Sequence, residues 1–510
     1  MSVPLRFGAS AVLALVIATA LPPPAAAQPA DDEAEEGSES ISIPKLVQIA
    51  VQKSTTLSVA RSNLRLADLG KTIAGGADEL QVTAGLNVSK RAEDTIPNAR
   101  AQVIAATELQ TRLGISKRVA TGGDFAVSVS SSSQSRRFGE APDVTAKANV
   151  SIASVAVHQP LLRGIGGGAR VNQQRAELIA DSATLAAMDA GAATIRELVV
   201  TYWTLAFAHA NLAVRIQSQK VAKEQLDLTQ KMFGRGAIPE GAVKAAAYGL
   251  ALREEATLRA QGELEAASIS LRRLAGLEIG PDQVELVPTD KLTPDKRTWE
   301  LDELLDLAVK RNPRVAAARL GVELADVDVG VLSNAVLPTL DLTVSAGAVG
   351  VGSDAGGALS ALAGISDYQV SAGLSFAWGI GGAASAAEKS SRVQRATAKR
   401  SAKDAERDIV AAVVLAYREI RASQKRVDVA ARAIDLAKEN FATEQALFRA
   451  DKSSNVQVFE RQAELEEAQL LEVRAAIGYR VAIATIDYLT GEILKRYDVE
   501  VVARPDRKAE

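Results

Sequence analysis

Ile195, Leu198, Tyr202, Leu205, Leu212 and Ile216 return 215 residues later as Val410, Val413, Tyr417, Ile420, Val427 and Ala431. The same offset carries Met232-Phe233 onto Leu447-Phe448, and Leu274 with Gly276 onto Leu489 with Gly491. A constant offset held this long points to one structural unit written twice, so whatever the chain folds into must accommodate two similar halves. The copies are placed at 43–285 and 299–495, joined by a linker at 286–298 and followed by a C-terminal tail at 496–510.

Within each copy the hydrophobic period changes in the same order. A helical stretch (43–77, then 301–334) leads into a strand of period two. In the first copy the strand at about 79–90 puts Leu80, Val82, Ala84, Leu86 and Val88 on one face and Gln81, Thr83, Gly85, Asn87 and Ser89 on the other. The second copy repeats this at about 337–348, with Leu340, Leu342, Val344 and Ala346 opposite Thr339, Asp341, Thr343 and Ser345. Returning strands are expected at about 150–159 and 368–378. The second of these alternates cleanly from Tyr368 to Trp378.

Long proline-free runs follow, at about 169–233 and 384–450, with apolar positions spaced by threes and fours as in a coiled-coil seam. At 1.5 Å per residue each helix extends roughly 100 Å. Turns at 234–241 and 449–455 reverse the chain into second helices at 242–275 and 456–490.

Residues 1–27 read as a secretory signal peptide: one basic residue, Arg6, an apolar stretch from Ala9 to Leu21, and small residues before Gln28. An acidic leader at 28–42 follows. Elsewhere no run of about 18 apolar residues exists, and with no cysteine there is neither a disulfide nor a thiol for lipidation. If the chain reaches a membrane, contact is therefore expected through β-strands or surface contacts. Four amphipathic strands cannot close a membrane barrel, for which about eight is the minimum, and lipid does not tolerate open sheet edges. Oligomerisation follows, three chains of four strands giving a twelve-stranded wall. Residues 106–135 read as an additional hairpin, either in the barrel or in an extracellular loop; the sequence leaves both open.

Chemistry is not visible. Lys and Arg total 59 against 62 Asp and Glu, which gives no basic footprint for nucleic acid. His158 and His209 are expected to pack or to line a pore. The glycine clusters at 164–168 and 379–382 imitate a dinucleotide-binding turn, but the preceding strands have a polar face and the following helices are far too long for a βαβ unit. Pro160, Gly164, Gly379 and Gly381 are instead assigned to bends between strand and helix. No catalytic residue, cofactor or metal site is expected, and the chain is not expected to be an enzyme.

The segment His158-Gln159-Pro160-Leu161-Leu162-Arg163-Gly164, the pair Asn312-Pro313 followed by Leu337-Pro338-Thr339-Leu340, and the stretches Asn455-Val456-Gln457-Val458 and Tyr488-Leu489-Thr490-Gly491 resemble signatures of the TolC-like outer membrane efflux protein family. The resemblance implies a mainly α fold with a membrane β-barrel: a homotrimer whose twelve-stranded barrel continues into a periplasmic α-helical tunnel. It also implies passive conduction of cargo in a tripartite efflux or type I secretion system, with a periplasmic adaptor protein and an inner-membrane pump as partners. The gate and docking region falls on the helical tips, at Arg235, Gly236, Glu240, Arg449, Asp451, Lys452 and Glu460. The family's gating ion pair is not matched, since its positions hold Ala242 and Ser453. Of its acidic-ring positions, Gln457 and Glu460, only the second is acidic. The alternative from another class is a periplasmic coiled-coil scaffold or adaptor without a pore.

Overall fold

The computed structural model describes residues 39–92, 103–138, 144–165, 168–280, 286–290, 297–365, 367–450 and 452–501. The expected signal peptide, the leader up to residue 38, Asp451 and the tail beyond residue 501 lie outside them. Elements follow in the order β1 (Glu39–Ile41), α1 (Ile43–Lys53), α2 (Thr55–Gly75), β2 (Gln81–Ala92), β3 (Val103–Arg118), β4 (Asp124–Phe138), β5 (Val144–Pro160), α3 (Gly168–Gly234), α4 (Glu240–Ala275) and β6 (Leu286–Pro288). Then come α5 (Leu301–Arg311), α6 (Pro313–Ala335), β7 (Thr339–Gly352), α7 (Ala355–Leu362), β8 (Asp367–Ala377), α8 (Ala383–Arg449), α9 (Asn455–Leu489) and α10 (Ile493–Arg496). The fold is mainly helical with one large sheet.

Both long helices run for 67 residues, within a residue or two of the expected bounds. Helices of this length survive because their seams are buried against partners rather than by propensity alone. α3 packs on α4, α8 packs on α9, and α3 also meets α9. The densest packing lies partway along the helices, where Ile195, Leu198, Tyr202 and Leu205 of α3 meet Val413 and Ile420 of α8 and Ile483 and Ile486 of α9 in one apolar cluster. A parallel two-stranded ribbon, β1 with β6, closes over it. The Tyr202 hydroxyl donates to Asp290 Oδ2 at 2.7 Å and accepts from the Asp290 N–H at 3.0 Å, while the same carboxylate oxygen accepts from the Ile43 N–H at 2.8 Å. One buried hydroxyl thus fixes the ribbon and the start of α1 to α3.

Each opening helical stretch is broken where continuity was expected. Pro313 excludes helical geometry from the residue before it. Asn312 is extended, caps α6 through the Arg314 N–H at 2.9 Å, and donates to the Leu489 carbonyl at 2.9 Å. Ser54 holds the same extended geometry between α1 and α2. Against each break sits a left-handed glycine that ends the helical hairpin of the same half. Gly276 has φ +74, and a Cβ there would stand 2.4 Å from the Lys53 carbonyl oxygen. Gly491 has φ +73, and its Cβ would stand 2.9 Å from the Arg311 carbonyl oxygen.

The sheet departs further from expectation. It is a single six-stranded antiparallel sheet in the order β2-β3-β4-β5-β7-β8, the four anticipated strands together with the hairpin whose place was left open. The hairpin expected at 106–135 is longer, 103–138, and is inserted between β2 and β5 with full ladders on both sides. β2 and β8 are its free edges. The apolar helix α7 was not anticipated. It lies against β7 and β5 at Gly350 and Gly352, where a Cβ would come within 2.1 Å and 2.3 Å of α7 backbone atoms.

Two outcomes follow. Gly276→Ala and Gly491→Ala each impose left-handed strain of about 1–3 kcal/mol plus a backbone clash, so thermal melts of the two variants should both fall clearly below the parent. Burial and the Asp290 hydrogen bond raise the Tyr202 hydroxyl pKa, and burial pushes Tyr497 up to about 12. Their protons are held more tightly in the folded chain, so this stabilisation is complete below about pH 10 and is lost as pH rises through about 12. Melting temperature should decline across that window, and Tyr497→Phe should flatten the decline.

Candidate functional site

Residues paired across an antiparallel ladder share a face, so the registers sort every side chain of the sheet. One face carries Val82, Leu86 and Val88 of β2, Leu109, Leu113 and Ile115 of β3, Phe125, Val127 and Val129 of β4, Val155 and Val157 of β5, Leu340, Leu342 and Val344 of β7, and Val370, Leu374 and Phe376 of β8. Most of these are exposed in the single chain. The other carries Thr83, Asn87, Gln110, Arg112, Ser128, Ser130, Ser154, His158, Asp341, Thr343, Ser371 and Ser375. Apolar continuity lapses at Ser131, Asn149 and Ser151, beside α7. There Ser151, fully buried, donates to Ser131 Oγ at 3.0 Å, and Asn149 donates to the Ser353 carbonyl at 2.8 Å. Among the described residues no helix is long and apolar enough to cross a membrane. The sheet has one face suited to hydrocarbon and one suited to water, the division that a membrane-spanning wall requires.

At the helix-side rim the strands turn into the long helices. Pro160 ends β5, paired with Asp341. Gly164 has φ +97 and its N–H lies 3.4 Å from Asn334 Oδ1, so this bend needs glycine. Gly379 and Gly381 also lie between strand and helix, but neither has a left-handed φ and a Cβ would meet nothing within the chain. On the polar face near this rim His158 stands 3.8 Å from Asp124 and 4.0 Å from Asp341. His209, by contrast, packs with Nε2 2.8 Å from the Leu286 carbonyl.

The far ends of the helices hold the residues anticipated for a gate. Arg235 and Gly236 occupy the α3–α4 turn. Gly236 adopts φ +77, and the Ala237 N–H donates back to the Met232 carbonyl at 3.1 Å, closing α3 in the way a left-handed cap does. Glu240 opens α4 and pairs with Lys244 at 3.0 Å. Arg449 ends α8, and the Lys452 N–H donates to the Leu447 carbonyl at 2.9 Å. Glu460 lies exposed on α9. These side chains do not pair with one another among the described residues.

What joins the two turns is a set of buried polar groups, of which Asn455 and Glu466 were not assigned to the gate from the sequence. Asn455, 5% exposed, accepts from Gln225 Nε2 at 2.6 Å and Thr229 Oγ1 at 3.2 Å, and reaches the Ala242 carbonyl at 3.4 Å. Ser454 forms a capping box with Gln457 that starts α9 beside it. About three turns further along α9, Glu466, 8% exposed, binds Arg215 at 2.7 Å and the Ser218 hydroxyl, and stands 3.8 Å from Arg253. Gln462 donates to both the Ser218 carbonyl and its hydroxyl at 2.9 Å. Burial holds the Arg253 guanidinium below its ordinary value against the pull of Glu466, and the guanidinium stacks 4.7 Å from the Phe459 ring. Three helices, α3, α4 and α9, are thereby tied through polar contacts. The signal available in the sequence was a polar residue at a seam position, but Glu466 is one of several acids in its helix and Asn455 follows two serines, so neither stands out.

The architecture is an amphipathic antiparallel sheet continued by a bundle of ~100 Å helices. Comparison with known proteins agrees. Residues 304–492 match the family described as outer membrane efflux protein. Outer membrane protein TolC of Escherichia coli K12 is 29% identical over 277 residues, a stretch covering 52% of this chain and 55% of that relative. The chain thus aligns with only about half the length of that protein. Among solved structures, VceC from Vibrio cholerae superposes with a TM-score of 0.66 at 15% identity, over 88% of this chain and 96% of the other. The Campylobacter jejuni CmeC channel gives 0.66 at 14% identity, over 88% and 86%. The open-state MtrE channel of Neisseria gonorrhoeae gives 0.64 at 15%, over 89% and 90%. Residues 304–492 thus resemble the outer membrane efflux protein family, and the fold over most of the chain is similar to that of these solved channels.

Removing one member of the buried cluster should be costly. Glu466→Ala leaves Arg253 without its counter-charge and Asn455→Ala leaves Gln225 without its acceptor, each worth about 1–3 kcal/mol. Both should lower the melting temperature and speed proteolysis of the α3–α4 turn, whereas Glu254→Ala, on the exposed face of α4, should change neither.

Proposed function

We propose that this chain is one subunit of a homotrimeric outer membrane channel, built from two similar halves, that conducts cargo passively across the periplasm and outer membrane. The observation that carries the reading is the sheet: a wall with one lipid-compatible face and two open edges, attached at one rim to helices long enough to cross a periplasm. Lipid does not accept open edges, so closure by further copies is the arrangement that satisfies the backbone. A conduit needs no catalytic constellation.

In this reading the water-compatible face lines the lumen and the apolar face meets lipid. The helical tips close the periplasmic end and dock a periplasmic adaptor protein, which links the channel to an inner-membrane pump in a tripartite efflux or type I secretion assembly. Arg235, Gly236, Glu240, Arg449, Asp451, Lys452 and Glu460 form the docking and gating region. Behind them Asn455 and Glu466 hold the closed arrangement, so opening is a shift between two packings of α3, α4 and α9 biased by the adaptor.

The test is planar-bilayer recording on the full chain extracted in detergent. Discrete conductance steps are expected, together with heat-modifiable migration on gels. Glu460→Lys should reduce cation preference. A water-soluble monomer that needs no detergent would overturn the proposal, and unchanged selectivity in Glu460→Lys would remove that residue from the gate.

A further inference from the structure

The six-stranded sheet has consequences for the size and the joints of the barrel. Following the registers sideways, Gln81 at the start of β2 pairs with Ser116, Ser116 with Ala126, Ala126 with Ala156, Ala156 with Ser345, and Ser345 with Ser371. A line perpendicular to the strands therefore reaches β8 six residues short of its end at Ala377. The helix-side rim is a staircase. Six residues correspond to about 20 Å and five strand spacings to about 24 Å, a slope of about 40°. Strands of membrane barrels tilt by about 35–45°. Laid parallel to the membrane, this rim gives all six strands that tilt.

The inserted hairpin shares the wall's chemistry. Leu109, Leu113 and Ile115 of β3 and Phe125, Val127 and Val129 of β4 lie on the same face as Val82 and Leu86 of β2 and Val155 and Val157 of β5. A hairpin standing in an aqueous loop has no reason to keep that face apolar and in phase with both neighbours.

The edges are also complementary. β2 follows α2 and runs away from the helices, while β8 precedes α8 and runs toward them, so side by side they are antiparallel. They are 12 and 11 residues long. Setting Gln81 of one copy opposite Ala377 of the next continues the staircase. It places Val82, Ala84, Leu86 and Val88 against Phe376, Leu374, Ala372 and Val370, and Arg91 against Asp367. Apolar meets apolar along one face, and opposite charges meet at the far end.

We infer that sister copies join β2 to β8 in this register, and that with six strands from each of three copies the wall has eighteen strands, not twelve. The inference rests on the trimeric channel reading and adds the strand count and the joint.

The chain has no cysteine, so introduced pairs report cleanly. Two double variants of the full chain, assembled in outer membranes and oxidised, test the two parts. Asn87→Cys with Ser371→Cys should yield covalent trimers on denaturing gels. Asn87→Cys with Gln110→Cys should yield a reductant-sensitive link within one chain, because these residues are direct partners only if β3 lies beside β2 in the wall. Strand counting by electron cryomicroscopy of the unmodified trimer covers the case in which a variant fails to assemble, and eighteen strands are expected. A trimer with twelve wall strands and an unlinked Asn87–Gln110 pair would overturn the inference while leaving the channel intact. A trimer of eighteen strands in which the Asn87–Ser371 pair stays unlinked would overturn the register. A detergent-extracted monomer would overturn the channel reading itself.

Discussion

The cost of leaving a backbone N–H or C=O unpaired in hydrocarbon, several kcal/mol per group, governs the rest of this molecule. A single chain supplies five complete ladders and two bare edges, β2 and β8. Soluble proteins blunt such edges with charge, bulges or proline; here the edge strands alternate apolar and small polar residues along most of their length, which favours pairing over protection. In the proposed channel oligomerisation is then part of folding the sheet, whereas the helical part already has a buried core of its own in one copy, centred on Leu198, Tyr202, Val413 and Ile486.

That division explains which parts of the structure were legible in the sequence. The long helices could be bounded to within a residue or two because their seams repeat over 67 residues without proline and both end at turns. The strands with clean alternation, β2, β7 and β8, were placed nearly as well. The inserted hairpin was harder, because Ser130 to Ser133 erase the contrast between faces in the middle of β4, and only the cross-strand register restores it. The breaks at Ser54 and Asn312 were missed for a different reason. Their flanking helices share an apolar period, and the interruption depends on the approach of Gly276 and Gly491 from more than a hundred residues away.

The tip shows the same limit for function. Charged residues in exposed turns attract attention in a sequence, yet in the folded chain Arg235, Arg449 and Glu460 are solvated and make no mutual pair. Surface charges of this kind contribute little to holding a closed state, typically below about 1 kcal/mol. The groups that tie the turns together are Asn455, Gln225 and Thr229, with Glu466, Arg215 and Arg253 behind them, and these lie at seam positions where burial raises the consequence of losing a partner. Exposed charge suits recognition by another protein, and buried polarity suits setting the relative position of helices. In the proposed channel the two sets divide those tasks between the surface of the tip and its interior.

The inserted hairpin adds wall without adding tunnel. Each long helix grows from the end of one strand, β5 or β8, while the turn between β3 and β4 comes back at the rim and attaches to no helix; there Thr121 donates to the Gln159 side chain at 2.7 Å, and the Val119 N–H bonds the Gly123 carbonyl at 2.8 Å. Barrel diameter grows roughly in proportion to strand number, so eighteen strands enclose a bore about one and a half times as wide as twelve. The helical section keeps the perimeter set by its own packing. In the proposed trimer the narrowest part is then the helical section, where the polar contacts of α3, α4 and α9 lie, rather than the membrane wall.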